Sequence, residues 1–209
     1  MRRVRGSRAH LTATLCALVI ACAMSPAFAD DAKPLTAMLL VARADLPDSN
    51  FKDSVVLVMN NIGPAPAGVI LNRPTRIAVA DLFPDAERLA PLTDKLYFGG
   101  PVDIATVSFV FRADTPPEHA IRVLDGVYLS TDRTLLRKLL DRAKPMEGLR
   151  IFVGYSSWGP GQLEGEIGRG DWKLAPADME ALFGSRAEHP WPGGDTPDSA
   201  HRTCASSPP

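Results

Sequence analysis

The residues of this chain best suited to chemistry gather between Gly154 and Trp172. Gly154-Tyr155-Ser156-Ser157-Trp158 invites comparison with a nucleophile elbow, the Gly-x-Ser-x-Gly turn that exposes a serine hydroxyl at a strand end. The pattern fails, because Trp158 stands where the second glycine belongs. The candidate bases are His119, after Pro116-Pro117, and His189 and His201 near the C-terminus. The plainer expectation is that Ser156 and Ser157 bond turn backbone. Glu164 and Glu166 are two positions apart, so on a helix they point to different sides and do not make a catalytic carboxylate pair. Gln162 and Glu166 stand four apart and do share a face. With Trp158 they either line a pocket or brace the turn Trp158-Gly159-Pro160-Gly161.

Two earlier segments carry further candidates. Asn72-Arg73-Pro74 closes an apolar run, and Pro74 holds the residue before it extended. Asn72 is suited to bracing its own turn, and Arg73 either meets an anionic ligand or pairs with an internal acid. Gly99-Gly100-Pro101 lets a backbone or a ligand approach closely. It is not a phosphate loop, because no Lys-Ser/Thr pair follows and the next segment does not read as a helix. No His pair at ligand spacing points to a metal, and no cofactor motif is present.

The elements that must position these residues are mostly strands. Met38 to Ala42, Ser54 to Met59, Ala67 to Leu71, Leu96 to Phe98, Thr106 to Phe111, Val127 to Leu129 and Leu149 to Gly154 are apolar runs of strand length. Turn chemistry separates the first three at Asp45 to Asn50 and Asn60 to Pro66, so residues 54–71 predict an antiparallel hairpin with a long loop. Short helices are expected over Ala78 to Phe83, before Pro84, and over Pro176 to Phe183, with proline at the first position. The clearest helix is Thr131 to Ala143: Ser130 or Thr131 can cap it, and Leu135, Leu136, Leu139 and Leu140 form one face. Strands outnumber helices and several are joined by turns, which predicts an α+β domain rather than a doubly wound parallel sheet.

The ends of the chain read differently. Arg2, Arg3, Arg5 and Arg8 precede an apolar stretch from Leu11 to Met24 and a small-x-small site, Ala27-Phe28-Ala29. This pattern predicts an export signal over residues 1–29, cleaved after Ala29, and a periplasmic or secreted protein. Val19-Ile20-Ala21-Cys22 also resembles a lipobox, which would instead anchor the protein to a membrane through Cys22. Cleavage removes four arginines and no acids, so 23 basic and 24 acidic residues become 19 and 24, and the formal charge moves from −1 to −5. That balance argues against a general nucleic-acid binder. Of three cysteines only Cys204 would survive, so no disulfide forms within that mature chain. Residues 185–209 are rich in Pro, Gly, Ser and Asp and predict a poorly ordered tail after a domain over residues 30–184.

Taken in order, these blocks resemble the YqgE/AlgH family of bacterial proteins. The resemblance covers about Leu39 to Leu182 and rests on several separate motifs. They are Leu46-Pro47-Asp48-Ser49-Asn50-Phe51, Gly68-Val69-Ile70-Leu71-Asn72-Arg73-Pro74, Phe98-Gly99-Gly100-Pro101-Val102, Gly126-Val127-Tyr128-Leu129-Ser130 and Trp158-Gly159-Pro160-Gly161-Gln162-Leu163-Glu164-Gly165-Glu166-Ile167. It implies one compact α+β domain with a bifurcated, coiled, mostly antiparallel β-sheet flanked by helices, and it implies no activity. Some members carry a label as transcriptional regulators linked to alginate production. No DNA-reading motif stands here, and export would separate the chain from DNA. The chain departs from the family in its signal, in Ser157 where glycine is usual, and in a closing segment reduced to Glu188-His189-Pro190-Trp191-Pro192.

The functional expectation is a non-catalytic exported domain that binds a small molecule or an envelope protein. Its binding residues would be Arg73, Gly99, Gly100, Trp158, Gln162 and Glu166, with Asn72, Pro74, Pro101, Gly154, Gly159 and Gly161 shaping the turns. The alternatives are a hydrolase using Ser156 or a Glu166-activated water, and a structural or assembly role in the cell envelope.

Overall fold

The computed structural model describes residues 37–60 and 62–184. The expected signal with its cleavage point, Cys22, and the tail with His189, His201 and Cys204 lie outside the described residues.

The described part begins with β1 (Ala37–Ala42), β2 (Val55–Met59) and β3 (Ala67–Ile70), an antiparallel meander. There follow β4 (Pro74–Ala78), α1 (Val79–Leu82), β5 (Lys95–Phe98) and the long β6 (Val102–Arg112). Then come β7 (Ile121–Leu124), β8 (Val127–Ser130), α2 (Arg133–Leu140) and β9 (Leu149–Ser157). The described part closes with α3 (Gln162–Gly168), β10 (Trp172–Pro176) and α4 (Met179–Phe183). The strands form one sheet in the order β10-β1-β2-β3-β9-β6-β8-β7, with β4 and β5 as a side branch. Every pairing is antiparallel except β5 with β9. The fold is α+β, and no helix among the described residues is long and apolar enough to cross a membrane.

The bifurcation is carried by β9. Its first half pairs with β5 through Phe152 and Val153, while Ser156 and Ser157 at its end pair with Gly68 and Ala67 of β3. At the fork, the Gly99 amide donates to the Val153 carbonyl (2.8 Å) and the Gly99 carbonyl accepts from the Ile70 amide (2.9 Å). One residue therefore joins both branches. A Cβ on Gly99 would run into the Gly154 carbonyl, and one on Gly100 (φ 151°) into Ser156 and the Tyr155 carbonyl. Close approach of two backbones is the reason for the Gly99-Gly100 pair.

Side-chain alternation divides the interior into three layers. Leu39, Val41, Leu57 and Met59 from one branch share a core with Val110, Val127 and Phe152 from the other, so the sheet curls around a common inner face. The outer face of β6, β8 and β9 packs Phe109, Phe111, Tyr128 and Ile151 against Leu136, Leu139 and Leu140 of α2. The outer face of β1, β2 and β3 packs Leu40, Val56, Val58 and Ile70 against Trp158, Leu163 and Trp172. Burial on both faces explains why β1 and β2 read as continuous apolar runs.

Several elements depart from the sequence expectation. β9 does not stop at Gly154: that residue takes φ 70°, and the strand resumes because Ser156 and Ser157 find partners in β3. α2 is shorter than Thr131 to Ala143, and its cap is Asp132, whose Oδ1 accepts from the Leu135 amide at 2.6 Å. Ser130 instead ties the preceding turn, donating to the His119 carbonyl (2.6 Å) and accepting from the Asp132 amide (3.0 Å). Pro176 ends β10 rather than opening a helix, and α4 starts after Asp178, which accepts from the Ala181 amide at 2.7 Å. β4, β7 and β10 were not expected from the apolar pattern, because each is short and partly exposed.

Candidate functional site

The densest polar array sits on the outer face of the β1–β3 branch, where the chain leaves β9. Gly159-Pro160-Gly161 turns the backbone, and Gly161 supplies the left-handed conformation (φ 70°) that starts α3 without a side-chain cap. Gln162 ties this turn: its Oε1 accepts from the Gly159 amide at 2.9 Å, and its Nε2 donates to Glu166 Oε1 at 2.8 Å. The other carboxylate oxygen of Glu166 accepts from two indoles, Trp158 Nε1 at 2.9 Å and Trp172 Nε1 at 2.8 Å. Both tryptophans are buried, and their rings meet edge to face at 6.2 Å. Phe51 completes the cluster, stacked on Trp158 at 6.1 Å and edge-on to Trp172 at 5.7 Å. A carboxylate that accepts charge-assisted bonds from both indoles lets two polar N–H groups be buried in an aromatic cluster without loss.

Arg73 reaches the loop that carries Phe51. Its guanidinium donates to the carbonyls of Asn50 and of Lys52 (2.9 Å for the latter) and lies 6.0 Å from the Phe98 ring centre. It thus fixes the loop that presents Phe51, bonding backbone rather than a carboxylate. Burial lowers its pKa below the ordinary arginine value, against an opposing pull from Asp53 and Asp48. Asn72 holds the loop's far end, accepting from the Val55 amide at 2.9 Å and donating to the Asp53 carbonyl at 2.8 Å. Pro74 opens β4 directly afterwards, and Pro101 stands between the glycine pair and β6.

The structure therefore gathers Trp158, Gln162 and Glu166 into one hydrogen-bonded group and links Arg73 to it through Phe51. Gly99 and Gly100 lie at the sheet fork instead, where Ser156 Oγ donates to the Gly99 carbonyl at 3.1 Å. Ser156 is fully buried. Phe51 and Trp172 were not among the candidate binding residues read from the sequence. The signal for Trp172 was a second tryptophan six positions after a paired glutamate, yet only the β1–β10 pairing brings it beside Trp158. Buried Arg150 was also missed; it donates to the Leu71 carbonyl at 3.2 Å and lies 4.8 Å from the Tyr97 ring centre.

Two clefts open elsewhere. One, of about 930 Å³, is a shallow surface bordered by Arg112, Asp125, Arg142, Glu147 and Met179. The other, of about 860 Å³, lies between α1, the start of β6 and α2. Neither contains any of the six expected binding residues. No group of three or more His, Cys, Asp and Glu side chains placed to hold a metal ion is found among the described residues.

The forked sheet with its few short helices defines a small α+β domain, and known proteins resemble the chain in sequence and in fold. The AlgH-like family model (DUF179) matches residues 39–193, so the chain belongs to that family. A UPF0301 protein of Chlorobium limicola is 37% identical over 155 residues, covering 73% of this chain and 81% of its own length. A UPF0301 protein of Mycobacterium tuberculosis is likewise 37% identical, covering 72% of this chain and 76% of its own. Among solved structures, a Corynebacterium diphtheriae protein superposes with a TM-score of 0.58 at 28% identity, over 73% of this chain and 81% of that one. The AlgH protein of Pseudomonas aeruginosa superposes with a TM-score of 0.56 at 26% identity, over 70% and 79% respectively.

Proposed function

We propose that this chain is a non-catalytic binding domain, exported with cleavage after Ala29, whose partner is a small molecule or an envelope protein. The observation that supports this most directly is the condition of the two candidate catalytic groups. Ser156 is fully buried and its hydroxyl is engaged by the Gly99 carbonyl, so a substrate has no approach to it. Both oxygens of Glu166 already accept bonds from Trp158, Trp172 and Gln162, so activating a water means giving one up. In this reading Arg73, Gly99, Gly100, Trp158, Gln162 and Glu166 set the shape of the binding face, with the indole cluster as its rigid support. Nucleic acid is not the partner, and membrane attachment arises only if Cys22 is lipidated.

The purified Asp30-to-Pro209 protein is expected to give no turnover of ester, phosphoester, glycoside or peptide substrates. Turnover that disappears on Ser156→Ala or Glu166→Gln in a folded variant overturns the binding reading in favour of the hydrolase. A stoichiometric envelope partner that co-purifies, with no small molecule raising the melting temperature, moves the role to assembly. The intact mass of the exported chain decides between cleavage after Ala29 and a lipid on Cys22.

A further inference from the structure

We propose that the cleft between α1, β6 and α2 binds a free apolar monocarboxylate, tail along the cleft floor and headgroup on Arg133 and Arg137. The inference rests on the reading of the chain as a binding domain and names the ligand's chemistry at a place the sequence did not single out.

The cleft volume of about 860 Å³ lies within the roughly 300–1,000 Å³ of small-molecule sites. Val107 from β6 and the nearly buried Leu136 and Leu140 from α2 supply apolar lining, beside the polar Thr106 and Thr131. The cleft wall is Leu82 and Phe83, and Leu82 is 41% exposed. Ile104, the residue before the lining stretch of β6, is 69% exposed, the most open of the large hydrophobic residues described. Leu82 is open aliphatic surface within the lining that a tail can cover.

The headgroup end is set by α2. Arg133, Leu136, Arg137 and Leu140 recur at the spacing of a single helix face, with the two arginines together on one side of the leucines. Both arginines are exposed, and neither has an ion-pair partner among the described residues. The Thr131 hydroxyl lies at the same end of the cleft. Two guanidiniums four residues apart can both donate to one carboxylate. The lining also holds two acids, Asp85 and Asp141. Asp141 follows the last turn of α2, about 12 Å along the axis from Arg133 at 1.5 Å per residue, beyond a screening length of about 8 Å. Arg137, four residues and about 6 Å along the axis from Asp141, feels that carboxylate more than Arg133 does. The two acids also disfavour a second negative charge on the ligand, which selects a monoanion over a dianion.

The test is a fluorescence titration of the purified protein with 8-anilinonaphthalene-1-sulfonate, a monoanion on an apolar body. Saturable one-to-one binding is expected, displaced by monomeric dodecanoate and not by dodecyltrimethylammonium. The double variant Arg133→Gln, Arg137→Gln is expected to weaken binding at least tenfold with an unchanged thermal melt, and Arg76→Gln, outside the cleft, to leave it as it was. Absence of binding, equal displacement by the cationic amphiphile, or equal affinity in the double variant overturns the proposal. Binding to anionic vesicles without binding of monomeric dodecanoate overturns it too, since it would make the face a membrane contact. Each of these results concerns the cleft alone, whereas substrate turnover concerns the wider reading of the chain as a binding domain.

Discussion

The two outer faces of the sheet make opposite use of their polar groups. On the β1–β3 branch, Trp158, Trp172, Gln162, Glu166 and Arg73 all bond within the molecule. On the β6–β8 branch, α2 covers an equally apolar layer, yet Arg133 and Arg137 stand beside a cleft without ion-pair partners among the described residues. Rare residue types drew attention to the first face, and there they fix backbone geometry. Common residue types occupy the second, and there charge is left over. A cluster whose every donor has an acceptor adds stability and uniqueness. The cleft on the second face can offer a ligand charged groups that are not already engaged.

The sharpest way to break this contrast is Trp158→Ala. A buried indole packed on Phe51 and Trp172 is lost, and about 3–5 kcal/mol of stability should go with it in urea unfolding. A loss below about 1 kcal/mol would mean that the cluster is not the support described here. Glu166→Ala comes next. It strands two indole N–H groups and the Gln162 amide, at a cost of about 2–3 kcal/mol, while Glu166→Gln keeps one acceptor oxygen and should cost less. Equal effects of the two variants would show that side-chain volume rather than hydrogen bonding matters there. The smallest effect belongs to the other face. The double variant Arg133→Gln, Arg137→Gln should change unfolding free energy by no more than about 0.5 kcal/mol, since exposed arginines without partners stabilise little. A large loss there would show that these arginines are structural after all.

The legible parts of the fold were those with strong burial. β1, β2, β3, β8 and β9 carry apolar runs because both their faces are covered, and α2 shows its leucine stripe. β4 was not legible: Pro74, Arg76 and Ile77 are exposed on a side branch, so no apolar alternation marks it. β10 was hidden for a similar reason, with Lys173, Leu174 and Pro176 exposed on an edge strand. Within the site, the Gln162–Glu166 contact followed from helix spacing alone. The links from Glu166 to Trp172 and from Arg73 to the Phe51 loop did not, because they depend on which strands pair.

By itself the sequence determined the fold class, the family, and the positions where backbones must come close. Apolar runs, Gly99-Gly100 and the Trp158-to-Gly161 turn are local demands, met by residue type and spacing wherever the rest of the chain lies. Only the tertiary structure decided what those residues do. Pairing of β10 with β1 places a second indole on Glu166, the fork in β9 buries Ser156 under Gly99, and a cleft opens between α1 and α2 next to two arginines without ion-pair partners among the described residues. These are contacts between segments far apart in the chain. Whether a polar group is engaged or free depends on such contacts, and no local pattern records them.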